Sequence, residues 1–302
     1  MGTVAVLADI HGNLAALEAV LTALKPIKPR AYWVLGDVFG ELGQARAVLD
    51  RLRELNAFCL MGNRERDMAA YIRGEKPEWQ GAMQFAALTE SARGLRSEMT
   101  EIASWPMTAI REGVRLVHGS PADVYGEYAG GLHYVLRVRL VHGSPADVYE
   151  LMHPGTPRVD ELLAAMAEPS MVAGHDHKQW YYSRWDKAIF AAGSVGLAHT
   201  GRPCQAEYLI LERQDGGWHG RFCRTCYHPQ RLKALLEAEA WLERGGPLAR
   251  AAYEEALTGG YAILDFVRLA QRMARRLGPQ AGGVLPDEAI QMAAQAYPWT
   301  TL

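Results

Sequence analysis

The chain has 302 residues, 49% of them hydrophobic and 22% charged, with a net charge of −2 at pH 7. That length suits one large domain or a domain with an appendage, and the charge supplies no basic field to gather nucleic acid or an anionic membrane. Four cysteines are too sparse for a disulfide framework; the first apolar run lacks a basic leader and a cleavage site, and no apolar segment approaches the roughly 18 residues that span a bilayer, so a cytoplasmic protein is expected.

Residues 4–8 read Val-Ala-Val-Leu-Ala, a short apolar run of the kind that forms strands buried on both faces. The run delivers Asp9 and His11 at its carboxyl end, where open α/β sheets bind ligands. Gly12 permits a tight turn, Asn13 can cap a helix, and residues 14–24 set Leu14, Leu17, Val20, Leu21 and Leu24 on one helical face. Residues 31–35 form a second apolar strand running into Gly36-Asp37, 41–55 read as a helix, and 57–61 form a third strand ending in Gly62-Asn63-Arg64-Glu65. Two βα units in succession predict a parallel sheet.

Residues 67–105 are helix-prone and mixed in polarity, a covering layer. Residues 107–118 predict a hairpin turning at Glu112-Gly113, 158–167 a helix, and 170–173 a strand ending in Gly174-His175-Asp176-His177. Strands follow at 180–185, 188–191, 207–212 and 218–227, with Gly193-Ser194-Val195-Gly196 as a turn among them. Beyond Tyr227 the pattern is helical: 229–244, 247–257, 261–277 and, after a Gly/Pro-rich linker at 278–286, 287–297.

One stretch occurs twice. Val-Arg-Leu-Val-His-Gly-Ser-Pro-Ala-Asp-Val-Tyr stands at 114–125 and again, identically, at 138–149. Two copies are too few for a solenoid, so this is a local duplication in which His118 and His142 compete for one structural role.

Asp9, His11, Asp37, Asn63, His175 and His177 all fall at predicted strand ends, and His118 or His142 adds a seventh. Strand ends on one sheet edge converge in space. Oxygen donors mixed with imidazoles suit Mn, Fe or Zn better than Ca or Mg alone. Seven ligands are too many for one transition metal and suit two, with one carboxylate between them. Two such ions grip the nonbridging oxygens of a phosphate and turn a shared water into hydroxide near neutral pH.

In that order, Asp9-x-His11, Gly36-Asp37, Gly62-Asn63, His118-Gly119 and Gly174-His175-x-His177 resemble the five motifs of the calcineurin-like metallophosphoesterases. The finer likeness is to the small bacterial phosphodiesterase-like branch, through Asp9-Ile-His-Gly-Asn13, Val117-His-Gly-Ser-Pro121 and Gly193-Ser-Val-Gly196. The resemblance runs from about Thr3 to about Leu236 and implies a four-layer α/β/β/α sandwich, assigned to residues 1–244; residues 245–302, joined through Gly245-Gly246-Pro247, lie outside it and read as a separate helical C-terminal extension. It implies that Asp9, His11 and His177 hold one divalent ion, that Asn63, His175 and His118 (or His142) hold a second, and that Asp37 bridges. The ions are Mn, Fe or Zn, with Mg or Ni admissible. The implied activity is hydrolysis of phosphomonoesters or phosphodiesters by attack of a metal-bridging hydroxide. The alternative is a non-catalytic binding scaffold that retains the fold.

Three departures bear on that picture. Many relatives follow Gly-Asn with a histidine that protonates the leaving group; Arg64 stands there, and a guanidinium cannot be that acid, although it can stabilise a developing alkoxide or grip phosphate. The stretch from Gly36 to Glu41 lacks the Asp-Arg-Gly of the phosphoprotein phosphatase and diadenosine tetraphosphatase branch. Asp176 is a carboxylate where relatives carry a small hydroxylated residue. Local register favours His118 over His142, because His118 closes a complete hairpin. Cys223 and Cys226 point to opposite faces of an alternating strand and make a poor zinc pair. Arg268, Arg272, Arg275 and Arg276 read as a solvated helix face. The expected partner is a small phosphorylated substrate, a nucleotide among the candidates, with neither a membrane nor a clear nucleic-acid surface. The apolar faces of the C-terminal helices suit the sandwich surface or a second copy of the chain.

Overall fold

The computed structural model describes residues 2–120, 151–214, 217–277 and 284–300. At its centre β1 (Thr3–Leu7) pairs in parallel with β2 (Ala31–Val34), which pairs in parallel with β3 (Phe58–Cys59). On its other edge β1 meets β9 (Gln205–Gln214) and then β10 (Gly217–Cys226), both antiparallel, for a sheet ordered β10-β9-β1-β2-β3. A second sheet, ordered β4-β5-β6-β8-β7, contains β4 (Thr108–Arg111), β5 (Val114–Val117), β6 (Ser170–Ala173), β7 (Gln179–Arg184) and β8 (Lys187–Ala192).

Side-chain alternation explains why the two sheets stack. Val4, Val6, Trp33, Leu35, Leu209 and Leu211 turn inward and meet Val114, Leu116, Val172, Phe190 and Ala192 of the second sheet in one dry cluster. The alternate residues, Ala5, Leu7, Val34 and Ile210, face outward under helices that include α1 (Leu14–Leu24) and α2 (Ala45–Glu54). Val117, Met171, Ala173 and Ile189 do the same on the far side, against Val159, Leu162 and Leu163 of a helix at Pro157–Ala165. The result is an α/β/β/α sandwich. The continuous apolar run at 4–8 is therefore a strand buried on both faces, as its composition predicts.

The expected helix at 41–55 begins only at Ala45. Residues 40–44 instead form a loop, because the N–H groups of Leu42 and Gln44 donate to the carbonyls of His11 and Gly12. The expected helix at 229–244 breaks in two, Pro229–Ala238 and Trp241–Arg244, where Ala240 takes a left-handed φ of 48°. The second copy of the duplicated stretch, with His142, lies outside the described residues. Among the described residues no helix is long and apolar enough to cross a membrane.

The helices beyond Gly245 do not stand off from the sandwich. Ala249, Ala252, Tyr253, Ala256, Ile263, Phe266, Val267 and Ile290 belong to the same apolar cluster as Ala5, Leu7 and Leu17. Trp241 Nε1 donates to the Glu41 carbonyl at 2.7 Å, Tyr227 Oη to the Ala256 carbonyl at 3.0 Å, and the Met83 N–H to Asp287 at 2.8 Å. The apolar faces that the sequence leaves in need of a partner find it in the first sheet's own helical layer. Phe266 is fully buried there. Phe266→Ala should therefore cost about 3–5 kcal/mol and lower the midpoint of a single unfolding transition. An early transition confined to the C-terminal helices would instead mark them as an independent unit; far- and near-ultraviolet circular dichroism in denaturant separates the outcomes.

Candidate metal centre

The carboxyl ends of β1, β2, β5 and β6 open toward one another between the two sheets. Each delivers its polar residue just after the strand stops: Asp9 and His11 after β1, Asp37 after β2, His118 after β5, His175 and His177 after β6. Asn63 comes from the first turn of α3 (Asn63–Ile72), directly after β3. All seven side chains are buried. Main-chain hydrogen bonds continue the sheets past the strand ends: Asp9 N–H donates to the Gly36 carbonyl, His11 N–H to that of Asp37, and Gly174 N–H to that of His118. Five of the seven residues take left-handed backbone conformations, with φ of 54° at Asp9, 50° at His11, 49° at Asp37, 68° at His175 and 56° at His177. Such conformations are uncommon outside glycine and persist where the surroundings over-determine them, as at functional sites. Gly62 is required by proximity, since a Cβ there would lie 2.3 Å from Asp37 Oδ1.

Two groups of three side chains present ligand atoms within 4.8 Å of one another: Asp9, His11 and His177, and Asp37, His118 and His175. Asp37 faces both, with Oδ2 3.8 Å from His11 Nε2 and Oδ1 3.5 Å from His118 Nε2. His118 Nδ1 lies 2.8 Å from the Leu35 carbonyl, which can only accept, so Nδ1 carries the proton and donates. The Nε2 of a neutral His118 then presents a lone pair to Asn63 Oδ1, an acceptor 3.0 Å away. His11 Nδ1 likewise donates to Glu41 Oε2 at 3.1 Å, and its Nε2 faces His177 Nε2 at 3.0 Å. Asp9 Oδ1 and Asp37 Oδ2 are buried without a hydrogen-bond partner. Acceptors facing acceptors, and carboxylate oxygens with nothing to accept, call for positive charge at the middle of the cluster. This donor set, carboxylate, amide oxygen and imidazole, fits divalent transition metals.

The remaining hydrogen bonds hold these groups in place. Asp9 Oδ2 accepts the His175 N–H at 2.9 Å, and Asp37 Oδ1 accepts the Arg64 N–H at 2.8 Å. Glu65, fully buried, accepts the N–H groups of Asp37, Gly62 and Phe39 at 2.9, 2.8 and 3.1 Å, clamping the ends of β2 and β3 together. Glu41 takes His11 on one oxygen and the Arg64 guanidinium on the other, at 2.5 Å. His11 therefore has the carboxylate partner that fixes ring orientation and tautomer in metal sites.

Proton affinities follow the same charges. Burial pushes Asp37 up, and the His118 imidazolium more than reverses it, leaving Asp37 well below the usual carboxylate range. Burial likewise raises Asp9, and His177 against it outweighs the effect. Burial depresses His118, but Asp37 draws its pKa up to about 9. Burial and the His118 charge push His175 down to about 4. Burial and the Asp37 charge raise Glu65 to about 7. Burial raises Glu41, and Arg64 and then His11 outweigh it, lowering Glu41 to about 2. With no metal bound, a proton on His118 is the cation that the two central carboxylates demand.

All the ligands expected within the described residues thus converge. Asp176 does not join them, and its Oδ2 accepts the indole N–H of Trp180 at 3.0 Å. Glu41 and Glu65 were not singled out from the sequence. Glu65, three residues after Gly62, carried a helix-start signal, whereas Glu41 sits in a stretch that reads as helix. A third grouping, His177 with His199 and Glu255, borders the cluster. There His199 Nε2 donates to Glu255 Oε1 at 2.9 Å, and Glu255 Oε2 accepts the Ile263 N–H at 3.0 Å, so this pair is internally satisfied.

Residues 2–187 match the family model described as calcineurin-like phosphoesterase, and the chain belongs to that family. An uncharacterized protein of Methanocaldococcus jannaschii is 36% identical over 62 residues, which is 20% of this chain and 26% of that protein, so the match spans about a quarter of the relative's length. The crystal structure of a metallophosphoesterase from Sphaerobacter thermophilus superposes with a TM-score of 0.59 at 21% identity, covering 81% of this chain and 100% of the other. A hypothetical protein from Pyrococcus horikoshii OT3 gives a TM-score of 0.64 at 18% identity, covering 86% and 99%. At these identities the likeness is one of fold.

The Glu41–Arg64 pair is buried, so removing one partner strands the other's charge. Glu41→Ala should cost about 3–5 kcal/mol, and Glu41→Ala with Arg64→Ala should recover part of that loss. Denaturant unfolding of chelator-treated protein measures both. Losses that simply add would show that the two side chains act independently.

Proposed function

We propose that this calcineurin-like phosphoesterase hydrolyses phosphomonoesters or phosphodiesters with two divalent metal ions held between the two sheets. The observation that carries this reading is the pair of buried carboxylate oxygens without a hydrogen-bond partner, Asp9 Oδ1 and Asp37 Oδ2, set among the imidazoles of His11, His118, His175 and His177. Asp9, His11 and His177 would hold one ion and Asn63, His118 and His175 the other, with Asp37 facing both groups. Two ions so held neutralise phosphoryl oxygens and supply an activated water as nucleophile near neutral pH.

The chain's own groups make the site ready in advance. Glu41 and the Leu35 carbonyl fix the tautomers of His11 and His118, so that each aims Nε2 inward. Glu65 and the Arg64 N–H hold Asp37 on its backbone and on one oxygen. Arg64 stays protonated at any working pH and cannot deliver a proton to a leaving group. Its pairing with Glu41 supports a role in orienting His11, with the guanidinium charge still close to developing anionic charge. Esters with good leaving groups are therefore the expected substrates. A scaffold that had given up metal binding would gain by losing Asp9 Oδ1 and Asp37 Oδ2, since a buried acceptor left unpaired costs about 1–3 kcal/mol.

Chelation should abolish turnover of bis-p-nitrophenyl phosphate, and Mn²⁺ should restore it. Activity in protein shown to be metal-free would sink the metal-dependent reading. Asp37→Asn should release at least one ion and lower kcat/KM by more than the roughly 10–100-fold typical of losing an outer-shell partner. Metal content and turnover that both survive would remove Asp37 as the bridge. His118→Ala should cost metal and rate together while His142→Ala is mild, and the reverse pattern would assign the ligand to the second copy.

A further inference from the structure

Next to His177, the rim of the centre is built by the C-terminal helices. The loop after Gly196 carries His199, whose ring centroid lies 4.9 Å from that of His177 and whose N–H donates to the His177 carbonyl at 3.1 Å. That loop is fastened to the turn between the helices at Gly246–Thr258 and Ala262–Leu277. Gly201 N–H donates to the Gly259 carbonyl at 2.9 Å and Cys204 N–H to the Ala256 carbonyl at 3.1 Å. Gly259 has a φ of 69°, and a Cβ there would meet the Arg202 carbonyl oxygen at 2.4 Å, so the turn and the loop are pressed together at their backbones. Glu255, on the first of these helices, adds its hydrogen bond to His199.

Tyr261 stands on that turn. Its ring centroid is 4.3 Å from that of His199, and the residue is 40% exposed. The ammonium of Lys178, the exposed residue that directly follows His177, lies 5.4 Å from the Tyr261 ring centroid. His199 already has Glu255 as its hydrogen-bond partner, so the exposed part of the tyrosine ring is not needed to satisfy it. Other large apolar side chains are as exposed, Trp185 and Leu277 among them, so what sets Tyr261 apart is its place beside His199 and Lys178 at the rim of the cluster.

An aromatic face beside an ammonium, two ring spacings out from a candidate metal ligand, is the pairing that recognises a planar base carried on an anionic group. The geometry points to a substrate-recognition wall contributed by the C-terminal extension. Tyr261 stacks on the nucleobase of a nucleotide ester whose scissile phosphate lies at the metal centre, with the Lys178 ammonium beside the stacked base. This assignment rests on the proposed phosphoesterase reading for the position of the phosphate, and it names the class of ester that the site selects.

Binding of phosphonate analogues tests the wall without turnover, because a methylene replaces the scissile oxygen. The full-length Mn²⁺-loaded protein is titrated by calorimetry with the phosphonates of adenosine 5′-monophosphate and of ribose 5-phosphate. The adenosine ligand should bind about tenfold tighter, the scale of one base–aromatic stack. Tyr261→Ala should erase that preference and leave the ribose ligand unchanged, whereas Tyr261→Phe should keep it. Equal binding of the two ligands by the wild type, binding of neither, or a preference that survives in Tyr261→Ala would overturn the wall. Preference without hydrolysis of bis-p-nitrophenyl phosphate would keep the wall and remove the hydrolase reading. Hydrolysis without preference would do the opposite.

Discussion

Four buried carboxylates, Asp9, Asp37, Glu41 and Glu65, gather at one end of the interface between the two sheets, and the structure around them is arranged to make that bearable. Like charges in a low-dielectric interior repel strongly and each pays a desolvation cost. Every oxygen that can be given a donor has one: the backbone amides of Asp37, Phe39 and Gly62 for Glu65, Arg64 and His11 for Glu41, and the His175 and Arg64 amides for one oxygen each of Asp9 and Asp37. The oxygens left over, Asp9 Oδ1 and Asp37 Oδ2, lie on the inner side of the cluster. The donors run out just where a metal ion would sit.

Concentrating so much polarity requires a scaffold that does not yield. Left-handed backbone at non-glycine residues costs roughly 1–2 kcal/mol apiece, and five of the candidate ligand positions carry it. What holds Asp9, His11 and Asp37 is the parallel register of β1, β2 and β3, extended by hydrogen bonds from Asp9 to Gly36 and from His11 to Asp37, and backed by apolar clusters on both faces of β1; His175 and His177 are held by the bonds of Gly174 to His118, of His175 to Asp9 and of the His199 amide to the His177 carbonyl. The dry interface that stacks the sheets and the wet chemistry at its edge are successive parts of the same strands. A change of register by one residue in β1 would turn Val4 and Val6 away from the inter-sheet core and Asp9 away from the centre in the same step.

That coupling is why much of the centre was legible in the sequence. Apolar runs of four or five residues ending in Asp, His or Gly-Asp mark buried strands and their ligand-bearing ends without any knowledge of the pairing. Glu41 escaped because its neighbours have a helical pattern, while its backbone surroundings are decided by the His11 and Gly12 carbonyls across the loop. Glu65 works through backbone amides, and no residue pattern announces which amides a glutamate will find. The break at Ala240 and the docking of the C-terminal helices were equally out of reach, since periodicity shows that a face is apolar and not what it meets. Those helices read as an appendage because they lie beyond the motifs, yet Phe266 and Ala252 sit in the same cluster as Leu7.

The family match ends at residue 187, the first residue of β8, but the physical unit does not. β8 closes the second sheet between β6 and β7, and β9 is the antiparallel neighbour that protects the free edge of β1. Ser194 and Asn13 then reach across that boundary, Ser194 Oγ donating to the Asp9 carbonyl at 2.8 Å and Asn13 Nδ2 to that of Gly196 at 3.0 Å, so the turn at 193–196 helps to set the backbone of Asp9. The same turn leads into the loop bearing His199, which the last helices grip through Glu255 and Gly259. The hydrogen-bonded path from Asp9 to Glu255 is continuous, and it makes the C-terminal helices structural neighbours of the centre although nothing in their own sequence resembles its motifs.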